Sequence, residues 1–479
     1  MIPVIPQNAA KTKILATLGP STNNAEAIRE LMRCGVDGIR LNFSHGSFDF
    51  FEDIFNELHV ACLQENSPIA VLVDLQGPKI RVGELEQPSV ELVTGNSIEV
   101  TINDIKGNEK IISTSYKQLV NDAEIGDQIL INDGLLKLCV TEKKSDSLIC
   151  EIVNGGTLTP KKGMNLPGMK LSTPSITEND FKNLEFILKH RVDFIALSFV
   201  RSADDVIQLK NWLAERGKII PVIAKIEKKE AVDNLDEIIK AADGIMVARG
   251  DLGVELPPQQ VPVLQKTIIK KCNSLGKLVI TATQMLESMI NSPVPTRAEA
   301  SDVANAVWDG TDVVMLSAET SVGKFPFRAV QIMNDIIKNA EEHNEDRVNF
   351  IYETPNGLQE NLFDSVGKAI AAICKQINAQ AIVVFTFEGR TARIISKYKP
   401  DSPIIAISNS FRTMNNLCLY WGITSIYLEN IDKEHLDIDD AKKLIISSGL
   451  AKTGDLVIFT AGAPYSEKSR ANLLRFEVL

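Results

Sequence analysis

Histidine is scarce in this chain of 479 residues: there are five, with no paired spacing of the kind that ligates a metal. The seven cysteines (34, 62, 139, 150, 272, 374 and 418) are odd in number, scattered and free of any Cys-x-x-Cys pair. That argues against a disulfide framework or a zinc site and fits reduced thiols. No stretch approaches about 18 uninterrupted apolar residues, so no membrane-spanning helix is expected. The start, MIPVIPQNAAKTK, lacks the basic segment and long apolar run of a secretory leader, and the expected location is the cytoplasm. Basic residues are outnumbered, 51 Lys and Arg against 62 Asp and Glu, for a net charge of −11. A nucleic-acid binder needs the opposite balance, and none is expected here. Also missing are Gly-x-x-x-x-Gly-Lys-Ser/Thr, since Gly323-Lys324 is followed by Phe325, and Gly-x-Gly-x-x-Gly. Any nucleotide must therefore be held by a metal, Arg and Lys in a cleft.

What is present is organised around residues 220–253. The apolar runs 222–224 and 244–248 read as buried strands, the first followed by Lys225 and Glu227, the second by Arg249 and Asp251. Between them Val232, Leu235, Ile238 and Ile239 recur at helical spacing. The unit is β-α-β with charge at the strand C-termini, the edge where parallel α/β folds carry their chemistry. The same rhythm covers the strand runs 13–18, 38–43 and 69–73 before it, and 194–199, 278–282 and 313–316 around it. Such units over roughly 250 residues suit a closed (β/α)8 TIM barrel, with a doubly wound sheet as the alternative.

Residues 75–171 break the rhythm with short alternating runs, the pattern of an inserted all-β, barrel-like lid. Its Gly- and Pro-rich exit, 154–168, reads as a hinge. A helix over 361–376 and strands at 381–385, 404–407, 425–428, 456–460 and 476–479 predict a C-terminal α/β domain. The expected boundaries are 1–74 with 172–345 for the barrel, 75–171 for the lid and 346–479 for the C-terminal, regulatory domain.

Glu227 and Asp251, beyond successive strands, would share one rim of the barrel. Two carboxylates there can hold a hard divalent cation and leave positions for water and phosphate; the alternative is a pair of solvated loop carboxylates. Lys225 closes a buried strand, where an ammonium needs partners. It can neutralise charge growing on a phosphoryl or enolate oxygen, pair with Glu227, or act as a Schiff-base nucleophile. Arg40, beside Asn42 and Ser44, offers a guanidinium fork to phosphate or carboxylate, or a salt bridge to Asp74. His45 reads equally as a ligand contact or as a packed or capping residue. Lys79 and Arg81 in QGPKIRVG (76–83) stand at the entrance to the lid, and Lys161 and Lys162 at its exit. Cations at both places predict a phosphate-rich ligand clamped between barrel and lid. Thr283 is either a donor to a carboxylate or oxyanion, or a strand-end cap. Thr296-x-x-Glu299 is a capping box, and Ser317–Thr320 is mouth architecture.

The stretches RLNFSHG (40–46), 74–81, PVIAKIEKKEAV (221–232), GIMVARGDLG (244–253), ATQMLESM (282–289), PTRAEASDVANAV (295–307) and 312–320 resemble the pyruvate kinase family, in order and over the whole chain. The resemblance implies phosphoryl transfer from phosphoenolpyruvate to ADP, giving pyruvate and ATP. It assigns Mg²⁺, or Mn²⁺, to Glu227 and Asp251, and the transferring phosphoryl and enolate to Lys225. Thr283 and the backbone at Gly250 and Asp251 would hold the substrate carboxylate. Arg40 and Arg81 would meet phosphates, with Asn42, His45 and Lys162 near the nucleotide. A homotetramer is also implied.

Two features depart from many relatives. Family members that need K⁺ hold it at the positions of Asn42, Ser44, Asp74 and Leu75, with a Glu where this chain has Lys79; the ammonium can supply that charge, so activity without K⁺ is expected. In sugar-phosphate-activated relatives a C-terminal loop cradles the effector phosphate. Here Thr386, Arg390 and Thr391 keep donors, but Glu388 adds an anion, so the phosphorylated effector stays open. The competing functions are a metal-dependent barrel lyase or aldolase, which leaves the lid cations unexplained, and a non-catalytic relative, which leaves Lys225, Glu227 and Asp251 unexplained.

Overall fold

The computed structural model describes residues 10–44, 46–343, 352, 358–429, 431, 438–462 and 471–479. Numbered within the barrel, the strands are β1 (Lys13–Thr17), β2 (Gly38–Asn42), β3 (Ala70–Asp74), β4 (Phe194–Leu197), β5 (Val222–Ile226), β6 (Gly244–Ala248), β7 (Leu278–Ala282) and β8 (Val313–Leu316). Every neighbouring pair is parallel and β1 joins β8, so the barrel is closed. Closure explains the short apolar strands. One set of side chains fills the barrel interior, among them Leu72, Phe194, Ile223, Met246 and Ile280. The alternate set packs outward under the helices.

The lid is a six-stranded sheet plus a two-stranded ribbon around its own core of Ile98, Val100, Ile129, Leu138 and Leu148. Its exit is not the structureless hinge expected. Gly156–Leu158 pairs with Val90–Leu92, and Met164–Asn165 pairs with Gln128–Ile131. An isolated bridge between Arg81 and Gly163 stitches entrance to exit.

The C-terminal sheet runs Ile423–Tyr427, Ile404–Ser408, Ala381–Phe385, Leu456–Ala461, Leu473–Val478. The last strand is antiparallel and longer than the 476–479 run expected. This region closes the base of the barrel. Leu419 enters the interior cluster, and a Cβ at Gly38 would lie 2.6 Å from its Cδ2, so only glycine fits there. Lys399, buried, pairs with Asp312, the residue before β8. With the base plugged, the C-terminal mouth under the lid is the open end. All seven cysteines are free. Among the described residues no helix is long and apolar enough to cross a membrane.

Candidate active site

The mouth collects charged and polar side chains from four successive strands. β2 supplies Arg40, β3 ends in Asp74, Ser198 follows β4, Lys225 lies inside β5, and Glu227 comes directly after it. Lys225 was expected to close the strand begun by the run 222–224; the strand continues to Ile226 because the ammonium finds partners within the barrel rim. Lys225 Nζ lies 2.8 Å from Glu227 Oε1, 3.2 Å from Asp74 Oδ1 and 2.7 Å from Ser198 Oγ. Arg40 donates to Asp74 Oδ2 from Nε at 2.9 Å and from Nη2 at 2.7 Å, and to Thr17 Oγ1 at 3.1 Å.

Charge and burial act against one another here. Burial alone would lower the Lys225 ammonium, but Asp74 and Glu227 reverse this and hold it above the ordinary lysine value. Both carboxylates favour the charged ammonium, the form a Schiff-base nucleophile would have to give up. Burial alone would raise Asp74, yet Lys225 and Arg40 hold it below the usual carboxylate range. Glu227 goes the other way. Burial pushes it up, Lys225 opposes this, and the like charge of Asp251 pushes it further. Two cations facing three carboxylates leave a net negative cluster, and its hard oxygen donors suit a divalent cation. Among the described residues no group of three or more His, Cys, Asp or Glu forms a metal-binding array.

Asp251 sits just beyond its strand, in the first turn of the helix Arg249–Glu255. The Arg249 guanidinium is spent on structure: it donates to Thr283 O at 2.7 Å, Gln284 O at 3.1 Å and Asp302 Oδ2 at 2.6 Å. Thr283 carries φ +66° and Gln284 +53°, uncommon for non-glycine residues and costly for a β-branched one. That turn brings the Thr283 hydroxyl 2.8 Å from Gly250 N, from which it accepts, and 2.7 Å from Ala282 O, to which it donates.

The lid faces this rim across a cleft of about 160 Å³ lined by Lys79, Arg81 and Lys162 from the lid and by Phe199, Lys228 and Asp251 from the barrel. Lys79, Arg81 and Lys162 thus share this cleft with Asp251. Arg81 Nη1 donates to Lys161 O at 3.1 Å, while Lys161 itself turns outward to Glu84. Asn42 Oδ1 accepts from Ser44 N at 3.1 Å, and Leu75 is buried behind Asp74. His45 lies outside the described residues. Far from the rim, Thr386 and Thr391 are buried at the ends of a loop where Arg390 pairs with Glu388 at 2.6 Å. The capping box at Thr296 and Glu299 is formed.

Sequence reasoning missed Ser198 and Phe199 by placing both in a strand. Phe199 instead adopts φ +55° and donates its N–H to Glu227 Oε2 at 2.8 Å. The signal was available: a serine and an aromatic at a strand end in line with Asp74 and Glu227.

Comparison with known proteins agrees with this arrangement. Residues 9–330 match the family description "Pyruvate kinase, barrel domain", and residues 364–476 match "Pyruvate kinase, alpha/beta domain". The chain belongs to the pyruvate kinase family. It is 41% identical over 472 residues to a pyruvate kinase of Geobacillus stearothermophilus, covering 98% of this chain and 80% of that protein. A pyruvate kinase of Staphylococcus epidermidis is 41% identical over 471 residues with the same coverage. The crystal structure of a pyruvate kinase from Cryptosporidium parvum matches with a TM-score of 0.89 at 37% identity, over 98% of this chain and 96% of that one. The chain is accordingly a phosphotransferase that moves a phosphoryl group from phosphoenolpyruvate to ADP, the glycolytic reaction of the family.

Proposed function

We propose that the transfer takes place at the rim formed by Arg40, Lys225, Glu227, Asp251 and Thr283, with the nucleotide entering under the lid cations. The observation that carries this reading is the Lys225 ammonium, held between Glu227 and Asp74 and kept charged by both. Phosphoryl transfer asks little covalent chemistry of a protein and much positioning and charge neutralisation. Arg40, braced by Asp74, presents its guanidinium to the substrate phosphate, and Lys225 meets the charge that builds on the phosphoryl and enolate oxygens. Thr283, with the backbone at Gly250 and Asp251, takes the carboxylate. To do so its O–H must turn away from Ala282 O. Arg81, Lys162, Asn42 and His45 serve the nucleotide side.

Glu227 and Asp251 would hold Mg²⁺ or Mn²⁺. When bound, such an ion supplies Lewis-acid charge neutralisation to the phosphate oxygens. K⁺ is not required in this reading. Lys79 lines the cleft as a fixed charge, and Asp74, one of the positions that would hold the ion, already carries two cations. A homotetramer, a phosphorylated effector at Thr386, Arg390 and Thr391, a cytoplasmic location and domain boundaries at 74/75, 171/172 and 345/346 complete the proposal. A coupled pyruvate-forming assay, run with and without Mg²⁺, Mn²⁺, K⁺ and sugar phosphates, tests it. ADP-dependent pyruvate formation that needs the divalent ion and survives mutation of Glu227 to Gln unchanged would overturn the assignment of the site.

A further inference from the structure

One buried ion pair at the rim lies outside the roles assigned so far. Lys228 Nζ is 2.5 Å from Glu255 Oε1, with side chains 8% and 1% exposed. Lys228 directly follows Glu227, and Glu255 closes the helix Arg249–Glu255 one turn beyond Asp251. The pair therefore links the segment carrying one carboxylate to the helix carrying the other. The rest of the local structure leads to the same point. The helix is tied at its start, where Arg249 binds the carbonyls of Thr283 and Gln284, and at its end by Glu255 alone among these contacts. Lys228 Nζ also lies 5.7 Å from the centre of the Phe199 ring, and Phe199 N–H holds Glu227 Oε2. A pair so deeply buried, even with Asn165 bonding Glu255 as well, is weak evidence for stability and calls for another reason.

We propose that Lys228 and Glu255 are positioning residues for the divalent cation: they hold Glu227 and Asp251 at the spacing two carboxylates need to share one small, geometrically demanding ion. The proposal rests on the reading of Glu227 and Asp251 as the ligands. Simple electrostatics makes a different prediction for one of the two residues. Lys228 is a cation near a cation site, so its charge alone weakens metal binding and its removal should tighten it. Positioning predicts that removing either partner loosens it, by about 10- to 100-fold for supporting residues around a metal.

The test is Mn²⁺ binding to the full-length protein without substrates, followed by the electron paramagnetic resonance of the free ion, with circular dichroism to verify folding. Lys228→Met and Glu255→Gln should each weaken Mn²⁺ binding by about 10- to 100-fold. Lys228→Arg should restore most of the affinity. Lys228→Met combined with Glu255→Met should be no worse than the poorer single change, since the two act as one unit. Wild-type or tighter Mn²⁺ binding by Lys228→Met, together with lost binding in Glu227→Gln, overturns the positioning role and leaves the ligands standing. Unchanged binding in Glu227→Gln overturns both. If Lys228→Met fails to fold, the near-isosteric Glu255→Gln decides, and wild-type affinity there ends the proposal.

Discussion

Arg40 places both Nε and Nη2 on a single oxygen of Asp74, at 2.9 and 2.7 Å, which leaves Asp74 Oδ1 for Lys225 at 3.2 Å. One carboxylate thus spaces the two cations to which the proposed mechanism assigns the phosphate and phosphoryl charge. Its folded pKa is lowered, so its stabilisation is complete above the unfolded value of about 4 and is lost as pH falls through the folded value. Asp74→Asn should destabilise the protein at neutral pH by about 3–5 kcal/mol, the scale for breaking a buried pair. It should also flatten the loss of stability below pH about 4. Thermal melts of the two proteins across pH 3–7 measure both; parallel curves would show that Asp74 carries no such linkage.

In the proposed mechanism Lys225 supplies charge where the transition state gains it. Lys225→Met should lower kcat by roughly 10²–10³ or more, the scale for losing a preorganised charge partner. Burial of Glu227 is then no longer opposed by the ammonium, so its carboxyl should hold its proton to higher pH in this variant than in the wild type. Steady-state kinetics beside potentiometric titration checks the pair of effects, and near-normal turnover removes Lys225 from the chemistry.

Lys79 lines the cleft, and the proposed reading gives its ammonium the place of a K⁺ ion. The chain should turn over fully in tetramethylammonium buffer, and Lys79→Glu should make it K⁺-stimulated, by roughly tenfold, by replacing a repulsive charge with an attractive one. No turnover of the wild type until K⁺ is added would falsify the fixed-charge reading.

The parts of the molecule legible in the sequence were those whose cause is local. Buried strands closed on both faces show as short apolar runs, and that gave the barrel and the ends at Glu227 and Asp251. What escaped was set by distant partners. Lys225 lies within a strand because Asp74, 151 positions earlier in a different strand, neutralises it. The Lys228–Glu255 pair spans 27 positions and has no spacing signature. Phe199 looked like strand because it is apolar, while its left-handed turn serves Glu227. In the lid, Gly156–Leu158 and Met164–Asn165 hide in turn-like composition, and only their pairing partners make them strands.

The candidate effector loop has its cation already engaged. Gly389, at φ +78°, turns the chain so that Arg390 folds back on Glu388 at 2.6 Å. Both side chains are more than a third exposed, so the pair itself contributes little, about 0–1 kcal/mol. It still offers an incoming phosphate an anion. Glu388→Gln should lower the activation constant for a sugar bisphosphate by roughly three- to tenfold, consistent with freeing one charge-assisted donor. Activation curves for both proteins decide this, and identical curves remove Glu388 from effector selection.

Thr283 holds a strained backbone for the sake of its hydroxyl. At φ +66° a β-branched residue sits in a region that favours glycine, and its Oγ is fixed between Gly250 N and Ala282 O. If the turn alone mattered, Thr283→Gly would relieve strain and preserve function. If the hydroxyl meets substrate, Thr283→Gly should raise the melting temperature or leave it level, yet lower kcat/KM by roughly 10²-fold. Thr283→Ser, which keeps the oxygen and sheds the branch, should retain most activity at equal or better stability. Full activity in the glycine variant would assign Thr283 to architecture, because glycine reproduces the turn and nothing else about the residue.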